Sequence, residues 1–379
     1  MATFVRMSTR LQASVAVVTV LNVLFSSGVR GQRATRKGSP PTDTPPAPRT
    51  YFIAADEVSW NYIPLGRGAT GTPSAEREGP SVPPTFLKAV YREYTDATFA
   101  TLKPRPPAWE HLGILGPLIR AEVGDTIRVV FLNHTKGFYT IHPHGLAYDK
   151  SSEGAFYADG TKGPEKEDDM ISPGKSHTYT WTVPPRAGPA PGDPSSILWM
   201  YHSHFVESRD LNTGLIGPII IGRRGSSGPD GRPKDVDREF IAALAIFDET
   251  ASAYFERNVL ARITDRSTVN LADPAFRKRY LMYSINGLVD GNLPPMTMKR
   301  GERVRWYLLS NTNEEDVHGA HWHGQTVVTN NMRTDTVSLG PMAMTVADMI
   351  PDAVGTWLFH CHVSEHYDEG MKTLFTVMP

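Results

Sequence analysis

Gly124-Asp125-Thr126-Ile127-Arg128-Val129-Val130-Phe131 alternates polar and apolar residues, the period of a strand with one face in a core. It leads to His142-Pro143-His144-Gly145, then to Trp199-Met200-Tyr201-His202-Ser203-His204 and Gly214-Leu215-Ile216-Gly217. The same layout returns further along the chain. Gly301-Glu302-Arg303-Val304-Arg305-Trp306-Tyr307 leads to His321-Trp322-His323-Gly324, then to Trp357-Leu358-Phe359-His360-Cys361-His362 and Gly370-Met371. Equal order and equal punctuation mark a duplication. Short alternating runs between turn signals predict an all-β protein of two antiparallel β-sandwich domains, at 50–224 and 235–379. The stretch from Arg223 to Val236, rich in Gly, Ser and Pro, reads as the link between them. Helix is expected only locally, around 274–279 and 364–369.

Composition narrows the function. The 379 residues carry 39 Lys plus Arg against 40 Asp plus Glu, a formal charge of −1, so no charge excess recruits nucleic acid or an anionic membrane. Gly (32) and Pro (31) favour strands and turns over long helices. With one cysteine, Cys361, the chain forms no internal disulfide and no Cys-only zinc or iron–sulfur site. Arg6 and Arg10 precede an apolar run over 11–25 and the small residues Ser26, Ser27 and Gly28, the pattern of an export signal cleaved near Gly28 or Gly31. Residues 1–31 are read as that signal and 32–49 as a proline-rich linker. The expected location is secreted or periplasmic, with no membrane association after cleavage.

Most of the 13 histidines fall in pairs. Two residues apart on a strand, both side chains leave the same face, so each His-x-His offers two imidazoles to one metal cluster. Imidazole suits copper, zinc, iron or nickel, and the pairs alone leave the metal open. The segment from His360 to Met371 decides it. A thiolate (Cys361), a histidine five residues on (His366) and a methionine ten residues on (Met371), with His318 as second imidazole, form the donor set of blue copper. The first domain has Ser203, Ser208, Thr213 and Tyr139 at the matching positions, so it keeps both histidine pairs and no blue site.

The motifs His-x-His-Gly, His-Ser-His, His-x-x-His-x-His and His-Cys-His-x3-His-x4-Met resemble multicopper oxidases across the sequence downstream of the leader. Glu110 to Pro117 and Gly214 to Pro218 look like the ceruloplasmin and hephaestin branch. The two-domain length, with type 1 copper in the second domain only, is similar to small two-domain laccases. The resemblance implies cupredoxin-like Greek-key domains and a role for each ligand. His318, Cys361, His366 and Met371 would bind type 1 copper. His142 and His321 would bind type 2 copper; His144, His202, His204, His323, His360 and His362 the type 3 pair. Electrons entering at type 1 copper would pass through Cys361 to His360 and His362, and dioxygen would be reduced to water. Asp159, followed by Gly160, resembles the family aspartate that aids proton delivery, and also fits a turn. His111, His134 and His177 match no copper position.

Two activities compete. A laccase-like oxidase would take electrons from phenols and aromatic amines; a ferroxidase would take them from Fe²⁺. Glu365 stands where ceruloplasmin has an acidic iron-site residue. The upstream Glu and His of that site are here Lys278 and Tyr283, ahead of Ile285-Asn286-Gly287. A cation is a poor neighbour for Fe²⁺, which favours the laccase-like reading, with Glu365 a proton acceptor for phenols. A non-catalytic copper carrier is the third class, and the full ligand set argues against it. Copper nitrite reductase would need its type 1 site in the first domain. The cluster needs four histidines from each domain, so either one chain clasps a cluster between its two domains, or three chains close a head-to-tail homotrimer with clusters between neighbours.

Overall fold

The computed structural model describes residues 48–72, 84–311 and 317–379. The expected signal, 1–31, and the proline-rich stretch as far as residue 47 lie outside them. No helix among the described residues is long and apolar enough to cross a membrane.

Four sheets form two sandwiches. In the first, one sheet orders Thr85–Tyr94, Arg49–Asn61, Thr126–Asn133 and Ser176–Thr182. It faces a sheet of Ile119–Glu122, Ile216–Gly222, Ser196–His202 and His142–Pro143. Ile127, Val129, Phe131 and Trp181 of one sheet share a core with Tyr201, Ile219 and Ile221 of the other. In the second sandwich a six-stranded sheet orders Leu281–Ile285, Arg238–Asp248, Val304–Ser310, Met344–Met349, Val327–Thr329 and Met332–Thr334. Its partner orders Met296–Lys299, Lys372–Met378, Gly355–Cys361, His318–Trp322 and Thr336–Leu339. Trp306, Leu308, Trp322, Phe359 and Phe375 fill the space between.

The duplication extends to topology. Arg49–Asn61 runs parallel to Thr126–Asn133, and Arg238–Asp248 parallel to Val304–Ser310. Ile119–Glu122 and Ile216–Gly222 are matched by Met296–Lys299 and Lys372–Met378, again parallel. The sandwiches are therefore mixed rather than purely antiparallel, because crossovers lay strands distant in sequence side by side.

Strand Val304–Ser310 is buried on both faces. Trp306 and Leu308 point into their own sandwich, while Tyr307 and Leu309, with Ile241 and Ala243, meet Leu198, Met200, Ile216 and Ile220 of the first sandwich. Each aliphatic side chain so covered contributes about 1.5–3 kcal/mol. A fully buried ion pair, Lys88 Nζ to Glu249 Oε1 at 2.6 Å, lies beside this contact, with the Tyr62 hydroxyl donating to the same oxygen at 2.7 Å. The expected link is a folded turn instead of a plain connection: Ser227 bridges Pro233, and Arg120 reaches both Gly231 O (3.3 Å) and Glu239 (2.8 Å).

Short helices form at Pro274–Lys278 and Ser364–Asp368. Asp273 caps the first, accepting the Ala275 N–H at 2.9 Å, with proline at the first helical position. A third, Glu207–Thr213, ends at Gly214, whose φ of +118° and tight approach to Ala89 O admit no side chain.

Candidate metal centre

Strand alternation divides one segment between two sites. Gly355–Cys361 pairs antiparallel with His318–Trp322, placing Cys361 opposite Ala320 and His360 opposite His321. Phe359 and Cys361 turn into the sandwich; His360 takes the other face. Inside, Cys361 Sγ lies 3.4 Å from His366 Nδ1 and 3.7 Å from His318 Nδ1, and the Gly319 N–H points at the sulfur from 3.4 Å. The His318 and His366 rings are 5.0 Å apart. Cys361 N–H donates to Met371 O (3.0 Å) and Met371 N–H to His366 O (2.8 Å), which folds the loop from His366 back over the strand end. Cys361 and Met371 are wholly buried, His318 and His366 nearly so. One cysteine sulfur and two imidazole Nδ1 atoms within 4.8 Å of one another, with the buried Met371 on the loop folded back beside them, fit copper.

On the opposite faces stand two histidine quartets. In the first sandwich His144 Nε2 is 3.0 Å from His202 Nε2; in the second, His323 Nε2 is 3.1 Å from His360 Nε2. The Nδ1 side of each set is held by backbone. His202 Nδ1 bonds Ser203 O (3.1 Å) as His360 Nδ1 bonds Cys361 O (2.7 Å). His142 Nδ1 bonds Glu153 O (2.7 Å) as His321 Nδ1 bonds Asp335 O (2.8 Å). A carbonyl can only accept, so these four Nδ1 atoms carry the proton and leave their Nε2 lone pairs for a cation; in the second sandwich the ligand nitrogens of His321, His323 and His360 lie within 4.8 Å of one another. Burial pushes His142 and His360 down to about 4 and His202 well below the usual range. Neutral imidazole is the ligating form. His204 and His362 complete the quartets, their rings 5.1 Å from His142 and 5.2 Å from His321.

No ring contact or hydrogen bond joins the two quartets among the described residues. His202 shares a strand face with Leu198 and Met200, which meet the six-stranded sheet. The second quartet lies on the far face of the five-stranded sheet, so the second sandwich's two-sheet thickness, about 10 Å between sheets, separates them.

The first sandwich fills its would-be thiolate position with a polar network. Ser203 Oγ donates to Asp210 (2.7 Å) and accepts the Thr140 N–H (3.1 Å); Arg209 and the Val206 N–H satisfy the rest of Asp210. Tyr139 is buried where the other copy has His318.

Asp159 stands apart from the quartet. Thr161, Lys166 (3.0 Å) and Lys150 (3.2 Å) surround its carboxylate and hold it ionised, well below the usual range. It reaches Glu153, whose carbonyl holds His142, through Lys150, which binds Glu153 at 2.6 Å, and through Tyr157, whose carbonyl accepts the Asp159 N–H (3.1 Å) and whose hydroxyl donates to Glu153 (2.9 Å). Glu365 is exposed, its Oε1 3.0 Å from Lys278 Nζ, and Glu369 lies 3.7 Å from the same nitrogen. The buried Tyr283 ring is 5.3 Å from the His366 ring. His111 Nε2 accepts the Ile241 N–H (3.1 Å), His134 pairs with Asp56 (2.7 Å), and His177 bonds Ser151 O (2.8 Å). Sequence reasoning missed Glu153, Thr140 and Glu207. Glu207 lies 3.5 Å from His204 Nε2 and 3.9 Å from His202 Nε2. Glu153 acts through its carbonyl, which every residue type possesses, so no signal marked it.

Comparison with known proteins places the architecture. Blue copper oxidase from Nitrosomonas europaea superposes with a TM-score of 0.56 at 19% identity, over 87% of this chain and 86% of that one. Copper nitrite reductase from the same organism gives 0.55 at 16% identity, over 88% and 94%. This is a protein of two cupredoxin-fold domains. Multicopper oxidase family models match residues 112–226 and 263–379. Human hephaestin is 39% identical over 349 residues, 89% of this chain and 30% of hephaestin; human ceruloplasmin is 41% identical over 346 residues, 87% and 32%. A Mus musculus protein named ferroxidase HEPHL1 is 40% identical over 87% of this chain and 29% of its own length. The chain belongs to the multicopper oxidase family, and spans about a third of the length of these relatives.

Proposed function

We propose that this chain is a laccase-like multicopper oxidase, coupling one-electron oxidation of phenolic or aromatic amine substrates to four-electron reduction of dioxygen to water. In this reading residues 50–224 and 235–379 are its two domains, secreted after loss of the leader. His318, Cys361, His366 and Met371 hold the electron-accepting copper. His142 and His321, with His144, His202, His204, His323, His360 and His362, hold the dioxygen-reducing cluster. Copper at these residues supplies the one-electron steps and the dioxygen chemistry. The chain supplies the path: Cys361 is covalently joined to both His360 and His362, so the thiolate in the core and the imidazoles on the opposite face belong to one tripeptide.

The observation that carries the substrate reading is the Lys278–Glu365 ion pair at 3.0 Å, beside the site's His366. The ammonium occupies the neighbourhood that a divalent cation would need, and neutralises the carboxylate that would bind it. Tyr283 against His366 offers an aromatic surface in place of a ligand. Steady-state rates with a phenol and with Fe²⁺ on one copper-loaded sample test this: the phenol should have the higher kcat/KM, and a higher value for Fe²⁺ refutes the assignment. Ferroxidase activity is the second reading, favoured by the ferroxidase named among the relatives.

The separation of the quartets supports assembly in trans. Three chains closing head to tail bring the first-domain quartet of one chain to the second-domain quartet of its neighbour, giving three clusters per homotrimer.

A further inference from the structure

We propose that Asp168 is a positioning residue for the first-domain quartet, acting through the Glu153-Gly154 turn. The inference rests on the reading that His142 and His204 ligate copper. The turn serves two ligands at once. Glu153 O receives the His142 Nδ1 proton at 2.7 Å, which aims Nε2 outward. Gly154 O receives the Thr140 hydroxyl at 2.6 Å, and Thr140 Oγ1 in turn accepts the His204 N–H at 3.0 Å. Two successive peptide units therefore set a ring on the strand His142–Pro143 and a backbone on the segment after Ser196–His202.

Asp168 holds that turn from behind. It is fully buried, and its Oδ2 accepts the Gly154 N–H at 2.7 Å. Its backbone carbonyl accepts the Tyr179 hydroxyl (3.0 Å), whose oxygen takes the Ile141 N–H at 3.4 Å. Thr140, Ile141 and His142, three successive residues, are thus each tied to Asp168 or to the turn it anchors. The turn itself accepts only glycine at 154: φ is +71°, and a Cβ would collide with the Ile141 carbonyl. In the second domain His321 Nδ1 is held by Asp335 O and also faces Thr336 Oγ1 at 3.0 Å, on an exposed turn to which no buried carboxylate bonds among the described residues. The device belongs to the first domain.

Asp168→Leu removes the acceptor, and Asp168→Asn keeps an oxygen for the Gly154 N–H. Copper per chain and copper affinity, by chelator competition on the full chain, are the readouts, with thermal unfolding of metal-free samples reporting the fold. Loss of an outer hydrogen bond to a ligand typically costs about 10- to 100-fold in metal affinity. Asp168→Leu should lose that much at the cluster while keeping the blue absorbance of the Cys361 site, and Asp168→Asn should bind as wild type. Unchanged cluster affinity in a folded Asp168→Leu overturns the proposal, as does an Asp168→Asn as weak as the leucine variant. If Asp168→Leu does not fold, the isosteric Thr140→Val, which cuts the turn from His204, should show the same selective loss; full cluster affinity there overturns it. His142→Ala separates the underlying reading: if it leaves copper content unchanged, His142 is no ligand and the proposal falls for that reason.

Discussion

His111 should make the stability of the metal-free chain depend on acid in a way that can be isolated. It sits at the junction of the two sandwiches, 3% exposed, with its ring 5.5 Å from that of Phe240. Its Nε2 must stay unprotonated to accept the Ile241 N–H. Burial, reinforced by Arg105 and partly offset by a backbone hydrogen bond at Ala108, lowers its pKa from 6.5 to about 4. The folded value is the lower one, so the unfolded chain binds more protons below pH 6.5. The contribution is present above 6.5 and is lost as pH falls through 6.5 towards 4. The full shift corresponds to about 3 kcal/mol, of which about 2 kcal/mol is lost between roughly pH 7.5 and pH 5. Urea unfolding of metal-free wild type and His111→Gln across that range is the assay. Glutamine can accept the same N–H without titrating, so the variant should lose about 2 kcal/mol less than wild type over the interval. Equal losses in the two proteins would refute the argument, since the other buried histidines titrate in both.

Copper-loaded protein should be intensely blue through a Cu–thiolate absorption band at its one cysteine, and Cys361→Ser should abolish both the band and oxidase activity; a blue serine variant removes the assignment. His142→Ala and His321→Ala chains, each inactive alone, should recover part of the activity when mixed and reassembled, because trans assembly restores some intact clusters; no recovery, with a monomeric mass by light scattering, excludes the trimer. Lys278→Glu should raise kcat/KM for Fe²⁺ by about tenfold or more relative to a phenol, since about 1.4 kcal/mol suffices for that factor and the substitution reverses a charge 3.0 Å from Glu365. An unchanged ratio would mean that Lys278 does not set the preference.

Much of the site was legible because its chemistry depends on residue type. A thiolate within His-Cys-His, followed by His366 and Met371, names a donor set, and the structure gathers His318, Cys361 and His366 within 4.8 Å of one another. The outer layer was illegible for the opposite reason. Glu153, Ser203, Asp335 and Cys361 hold imidazoles through backbone carbonyls, which leave no trace in residue identity. Glu207 and Asp168 were hidden because a carboxylate's meaning lies in what it faces.

The sequence by itself determined the two-fold repeat, the β-sandwich class and the opposite facing of Cys361 and its flanking histidines. Those follow from local rules, since a period of two puts neighbouring residues on opposite faces whatever the rest of the chain does. Only the tertiary structure decided which faces look at each other. Val304–Ser310 is buried on both sides because Leu198, Met200, Ile216 and Ile220 of the other sandwich cover Tyr307 and Leu309. That packing leaves the second quartet on the far side of its sandwich, away from the first. Long-range docking of apolar faces depends on the summed shape of two surfaces, and no window of sequence contains both.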